Sequence, residues 1–191
     1  MVTETERLFI ALTPPNRVRQ SLARLRDTLL RERGGRGMVT DNLHLTLAFL
    51  GVTPSHRIPE LLTLLASLPP AIFSLTLDCY GSFKANSPKG SIVWAGCQTP
   101  PELAALVDTL WQRLSDAGFA FDAKHFVPHV TLLRDASPDA GPCKAIVWPA
   151  GAPVLFRTEA TAKGPRYHVI PGLAAAGKDA AMPLSPLDPD R

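Results

Sequence analysis

Two short stretches of this chain hold the residue types that proton transfer needs. One reads Asn42-Leu43-His44-Leu45-Thr46-Leu47, the other Pro128-His129-Val130-Thr131-Leu132-Leu133. Both spell His, apolar, Thr, apolar. Successive side chains of a β-strand point to opposite faces, so a His and a Thr two apart share one face. The leucines and valine between them point the other way and can anchor the strand. If the fold brings the two strands together, a cleft with two imidazoles and two hydroxyls results.

That set suits acid–base chemistry on a phosphodiester. Imidazole titrates near pH ~6.5, so either protonation state is accessible around neutrality. One His can take a proton from water or a hydroxyl while the other gives one to the leaving oxygen. Charge develops on the non-bridging oxygens during phosphoryl transfer, and two Thr hydroxyls are suitable donors to them. A coupled pair of this kind predicts a bell-shaped pH–rate profile.

Other chemistries find less support. Two His without a Cys, Asp or Glu at useful spacing do not make a zinc set, so neither metal nor other cofactor is expected. There is no GxSxG elbow for a serine nucleophile. Cys97 and Cys143 carry no nucleophile signature. A single His-x-Thr is ordinarily a plain strand with a hydrogen-bonded His; two copies, one in each half of the chain, change that judgement. His56, His125 and His168 fall at a helix start, before the second motif and in a terminal strand, and read as structural or exposed.

The elements that must position these residues follow from pattern. Arg7–Leu12 is a β-type run. After Pro14-Pro15, Val18, Leu22, Leu25 and Leu29 mark one face of a helix ended by Gly34-Gly35, with Arg17, Arg19, Arg24, Arg26 and Asp27 on its solvated side. The first His strand closes at Gly51 and Pro54. Ile58 to Leu65 gives a second helix, Ile72–Asp78 a strand reaching about Gly81, Ser82–Gly90 an exposed loop, and Ser91–Gly96 the returning strand. Thr99-Pro100-Pro101-Glu102 starts a third helix with Trp111 on its core stripe. The second His strand spans about Phe126–Leu133. Asp135–Gly151, rich in Pro, Gly and Ala, reads as a loop, and Val154–Glu159 and Arg166–Ile170 as a last strand pair. Residues 1–173 form one domain and residues 174–191 a disordered tail. The expected fold is α+β: two pseudo-symmetric lobes, each an antiparallel sheet with helices outside, around a central groove.

Composition fits. A chain of 191 residues that is 46% apolar and 19% charged is a globular domain with a real core. No apolar run reaches the ~18 residues of a membrane span. The polar, acidic start is no signal peptide, and three cysteines without pairing or metal spacing imply reduced thiols in a cytoplasmic protein. A formal charge of +3 tolerates a phosphate-bearing partner without requiring one. No sticky apolar surface element stands out, so a monomer is expected. The residues alone leave open an RNA-end phosphodiesterase, an enzyme acting on a small cyclic nucleotide, and a nucleotide- or RNA-binding module without chemistry.

The flanks narrow this. Asn42-Leu-His-Leu-Thr-Leu-Ala-Phe-Leu-Gly51 and Phe126-Val-Pro-His-Val-Thr-Leu-Leu-Arg134 resemble the paired motifs of the two-histidine (2H) phosphoesterases, and the chain, tail apart, resembles the RNA 2′,3′-cyclic phosphodiesterases, also called 2′-5′ RNA ligases. The resemblance implies a bilobal fold with both motifs lining the groove, and metal-free hydrolysis of a terminal 2′,3′-cyclic phosphate to a 2′-phosphate. It also implies a reversible 2′-5′ ligase activity, in which an RNA hydroxyl takes the place of water. It makes His44 the proton donor to the 3′ oxygen and His129 the base, with Thr46, Thr131 and Arg134 on the phosphate. Phe83 matches an aromatic that relatives place in a loop after a strand, a platform for base stacking. Met38 is a departure, since relatives often carry Trp just before the first motif.

Overall fold

A computed structural model describes residues 4–84, 90–123, 125–161 and 164–172. The strands are β1 (Thr5–Leu12), β2 (Arg36–Gly37), β3 (Leu45–Pro54), β4 (Ser74–Lys84), β5 (Ser91–Gly96), β6 (His129–Ala136), β7 (Gly141–Pro149), β8 (Val154–Thr161) and β9 (Gly164–Ile170). The helices are α1 (Asn16–Arg33), α2 (Ile58–Ala66) and α3 (Pro101–Asp116). Two antiparallel sheets carry them: a four-stranded sheet ordered β3-β1-β8-β9 and a five-stranded sheet ordered β2-β6-β5-β4-β7. The expected α+β pair of sheets is what forms.

The sheets are not the two halves of the chain. The first sheet draws β1 and β3 from the start and β8 and β9 from the end. Helices cross over as well: α1, which follows β1, packs on β6 and β7 of the other sheet. The stripe that makes this possible is Val18, Leu22 and Leu29, all buried; Arg17 and Arg24 stay exposed, whereas Arg26, expected on the solvated side, is largely covered and Arg19 is half-buried. Trp111, expected as core on α3, also donates its indole N–H to the Leu47 carbonyl at 2.9 Å, which ties α3 to the first His strand. One continuous apolar cluster runs through both sheets, from Leu8, Ile10 and Leu45 to Leu110, Val130 and Trp148.

Three local expectations need correction. Asp135–Gly151 is not a loop: β6 continues to Ala136, and Gly141–Pro149 is strand β7. Its prolines hid it, but β7 is an edge strand, where a missing N–H faces no partner. The Ser82–Gly90 loop is also shorter, because β4 runs on through Ser82 and Phe83 to Lys84, pairing Phe83 with Ile92. Gly51 does not close β3; it sits inside it at φ +66°, a conformation glycine adopts freely, next to one of two register irregularities with β1. Those irregularities break strict alternation so that Leu45, Leu47 and Leu50 all stay buried while Thr46 and Phe49 face the groove. The tail and the centre of the β4–β5 turn lie outside the described residues.

On the second sheet, glycine makes room for an aromatic wall. A Cβ on Gly81 would stand 2.5 Å from the Trp94 ring, and one on Gly96 would stand 2.8 Å from it. The Trp94 ring therefore lies flat across two strands and packs on Phe83 at 5.1 Å. Gly81→Val is expected to displace that ring and cost about 1–3 kcal/mol, the usual range for overpacking. Urea unfolding checks it: a lower midpoint with unchanged slope is the expected result.

Candidate active site

Each catalytic candidate is held by its own short stretch of backbone. Thr40–Asn42 form a single 3-10 turn, after which the chain extends through Leu43 and His44 into β3. His44 thus immediately precedes its strand, while His129 is the first residue of β6. Arg26 of α1 clamps the approach to the first motif from the side, donating to the Met38 carbonyl at 2.6 Å and the Thr40 hydroxyl at 3.0 Å. The Asn42 amide donates to the Pro165 carbonyl at 2.9 Å, fastening the same segment to the β8–β9 hairpin.

The two imidazoles are held in the same way. Nδ1 of His44 lies 2.7 Å from the Asn42 carbonyl, and Nδ1 of His129 lies 2.7 Å from the Val127 carbonyl. A carbonyl can only accept, so each Nδ1 carries the proton and donates it. In the neutral ring this leaves Nε2 with its lone pair free. Each ring also meets an aromatic at right angles: Tyr167 against His44 at 5.1 Å, Phe83 against His129 at 4.9 Å. His44 further rests on Phe9, ring centres 4.8 Å apart, and Phe9 stacks on Phe156 at 4.9 Å. The pseudo-symmetry expected from the motifs extends to the groups that hold the rings.

His44, Thr46, His129, Thr131 and Arg134 all line one cavity of about 510 Å³, a size suited to a small ligand or nucleotide. Its other walls include Arg7, Phe9, Met38, Phe49, Thr158 and Tyr167. Phe83 is not among the lining residues, since its ring is engaged with Trp94 and His129. Met38 is on the lining, so that wall is aliphatic where a Trp was the family expectation. His56 and His125 are exposed, and His168 pairs with Glu159 at 2.7 Å. None of the three lines the cavity.

Burial sets the electrostatics. His44 is lowered from 6.5 to about 4, first by desolvation and then by the like charges of His129 and Arg134, with the Asn42 hydrogen bond opposing. His129 is lowered too, by desolvation against the Val127 hydrogen bond. Both imidazoles are thus held toward the neutral form. The thiols move the other way: burial pushes Cys97 up to about 11 and raises Cys79 and Cys143. A protonated thiol is a poor nucleophile, and none of the three lines the cavity. Among the described residues no group of three or more His, Cys, Asp or Glu is placed to hold a metal ion.

Sequence reasoning passed over Phe9, Tyr167, Arg7 and Asn42. Asn42 was legible in the motif as a residue, but its tether to Pro165 was not. Phe9 and Tyr167 had no local signal; only the pairing of β1 with β3 and of β8 with β9 places them beside His44.

Two antiparallel sheets with a His-x-Thr motif from each at one cavity define a two-histidine phosphoesterase-like site. Comparison with known proteins agrees. Residues 14–154 match the model of the 2′-5′ RNA ligase superfamily. The RNA 2′,3′-cyclic phosphodiesterase of Escherichia coli is 36% identical over 137 residues, covering 71% of this chain and 76% of the relative. Its counterpart from Thermus thermophilus is 30% identical over 185 residues, covering 90% and 91%. E. coli LigT solved with 3′-AMP superposes with a TM-score of 0.70 at 31% identity, covering 88% of this chain and 97% of LigT. A structure from T. thermophilus gives a TM-score of 0.74 at 28% identity, covering 86% and 95%. The chain belongs to the 2′-5′ RNA ligase superfamily.

The lowered His44 value makes a stability prediction with a definite sign. A folded-state value below the unfolded one favours the neutral ring, so the stabilisation is complete above pH 6.5 and is lost as pH falls toward 4. The loss amounts to up to about 3 kcal/mol. Denaturant titrations from pH 7 to pH 4 should show it, with a smaller loss in His44→Asn. Phosphate should shift the His44 ring resonances to a higher titration midpoint.

Proposed function

We propose that this protein hydrolyses the 2′,3′-cyclic phosphate at an RNA end, leaving a 2′-phosphate. Family membership supports the reaction class, and the relatives named above carry that activity in their names. The observation that carries the reading for this chain is the cavity itself, where two imidazoles with free Nε2 positions meet two hydroxyls and a guanidinium.

Nε2 of His129 takes a proton from water as the water oxygen bonds to phosphorus. The bond from phosphorus to the 3′ oxygen breaks, and His44 gives that oxygen its proton. The hydroxyls of Thr46 and Thr131 and the guanidinium of Arg134 hold the non-bridging oxygens, the guanidinium through its fork of donors. His44 must be protonated to act, yet its burial disfavours that form. The anionic substrate reverses the balance, because an opposite charge nearby favours the imidazolium. Substrate binding and charging of the acid are then one event. Tyr167 and Phe83 keep the rings edge-on, and the two backbone carbonyls fix which nitrogen reacts. An RNA hydroxyl in place of water makes the same step a 2′-5′ ligation. No metal is needed for either proton transfer. The protein acts as a cytoplasmic monomer in this reading; no helix among the described residues is long and apolar enough to cross a membrane.

A cyclic-phosphate-ended oligoribonucleotide incubated with EDTA present should be opened, with the phosphate kept on the 2′ oxygen. A 3′-phosphate product, or loss of turnover with EDTA, contradicts the reading. His129→Ala should lower turnover by about 10²–10⁴-fold, the range for loss of a general base, while largely sparing binding.

A further inference from the structure

The groove wall formed by the first sheet carries groups that the proposed chemistry does not use. Phe49 is a large apolar residue that remains 53% exposed. It lies on β3, an edge strand, where exposed apolar surface invites unwanted pairing unless a partner covers it. Phe49 pairs in register with Phe9, their rings 6.1 Å apart and tilted 42°. Two residues before Phe9 on the same face of β1 is Arg7, opposite Val52. Arg7 lines the same cavity as the two histidines and has no ion pair or hydrogen bond among the described residues. Arg36 and Arg57, by contrast, are paired, with Asp135 and Glu60.

An open aromatic face beside an unpaired guanidinium matches a base joined to a phosphate. Spacing agrees with that match. Phe9 lies against the His44 ring, and two residues along a strand cover ~7 Å, close to one nucleotide step along an extended chain. We propose that Arg7 and Phe49 form a subsite for the nucleotide preceding the cyclic end: Arg7 takes the phosphate linking the two nucleotides, and Phe49 stacks on the upstream base. This rests on the phosphodiesterase reading and adds the substrate class, an RNA end of at least two nucleotides in preference to a cyclic mononucleotide. Base–aromatic stacking tolerates any base, so the subsite selects for chain length and not for sequence.

The test compares kcat/KM for a tetraribonucleotide ending in a 2′,3′-cyclic phosphate with that for a 2′,3′-cyclic mononucleotide. Wild-type protein, Phe49→Ala, Phe49→Trp and Arg7→Gln are each measured at two salt concentrations. The wild type should prefer the tetranucleotide. Phe49→Ala and Arg7→Gln should each lower the preference ratio on the order of tenfold, with Phe49→Trp restoring it. Arg7→Gln should also flatten the salt dependence of tetranucleotide turnover. Turnover of both substrates with the same ratio in every variant overturns the subsite and leaves the phosphodiesterase reading standing. A wild type that turns over neither overturns both.

Discussion

The site depends on one hydrogen bond made twice: a ring N–H donated to the backbone carbonyl two residues earlier, at 2.7 Å in both His44 and His129. It settles the tautomer, because a carbonyl cannot donate, and so it leaves Nε2 as the nitrogen available for proton transfer at each ring. It also makes each ring's orientation a property of the backbone, fixed by short extended segments anchored through Leu43 and Val130 in the core. The partner atom is built into the chain and needs no further side chain. The surrounding architecture keeps two such segments facing one cavity.

The same burial that makes the rings rigid makes them reluctant to carry charge. His44 bears most of this, with its aromatic neighbours Phe9 and Tyr167 and the like charges opposite. Burial therefore favours the neutral ring, and an anion placed beside His44 would favour the protonated one. In the proposed reaction that coupling favours negatively charged substrates, in addition to the contact proposed for Arg134.

Much of the architecture was legible in the sequence because it lay in local pattern. The helical stripe of α1, the helix start at Pro100-Pro101 and the His-x-Thr pair each encode their structure within a few residues. What was not legible depended on pairing. Strand β7 read as a loop because Pro142 and Pro149 mark turns in isolation and are harmless only at an edge. Phe83 read as a loop aromatic because the Asn-Ser-Pro-Lys-Gly run after it suggested the strand had already ended. Phe9 and Tyr167 are ordinary strand aromatics until β1, β8 and β9 come together beside His44. The crossing of α1 onto the far sheet had no signal in its own sequence, since an apolar stripe does not name the surface that it covers.

The unlike roles proposed for two similarly held histidines are the centre of the account, and pH–rate profiles of the single variants test them most directly. The wild type should give a bell-shaped kcat/KM profile on a cyclic-ended oligoribonucleotide, with limbs belonging to the coupled pair. The residual activity of His129→Ala should lose the acidic limb, because the base that must be deprotonated is gone. That of His44→Asn should lose the alkaline limb, because the acid that must be protonated is gone. The opposite assignment of limbs, or a bell that survives either substitution, would contradict the account.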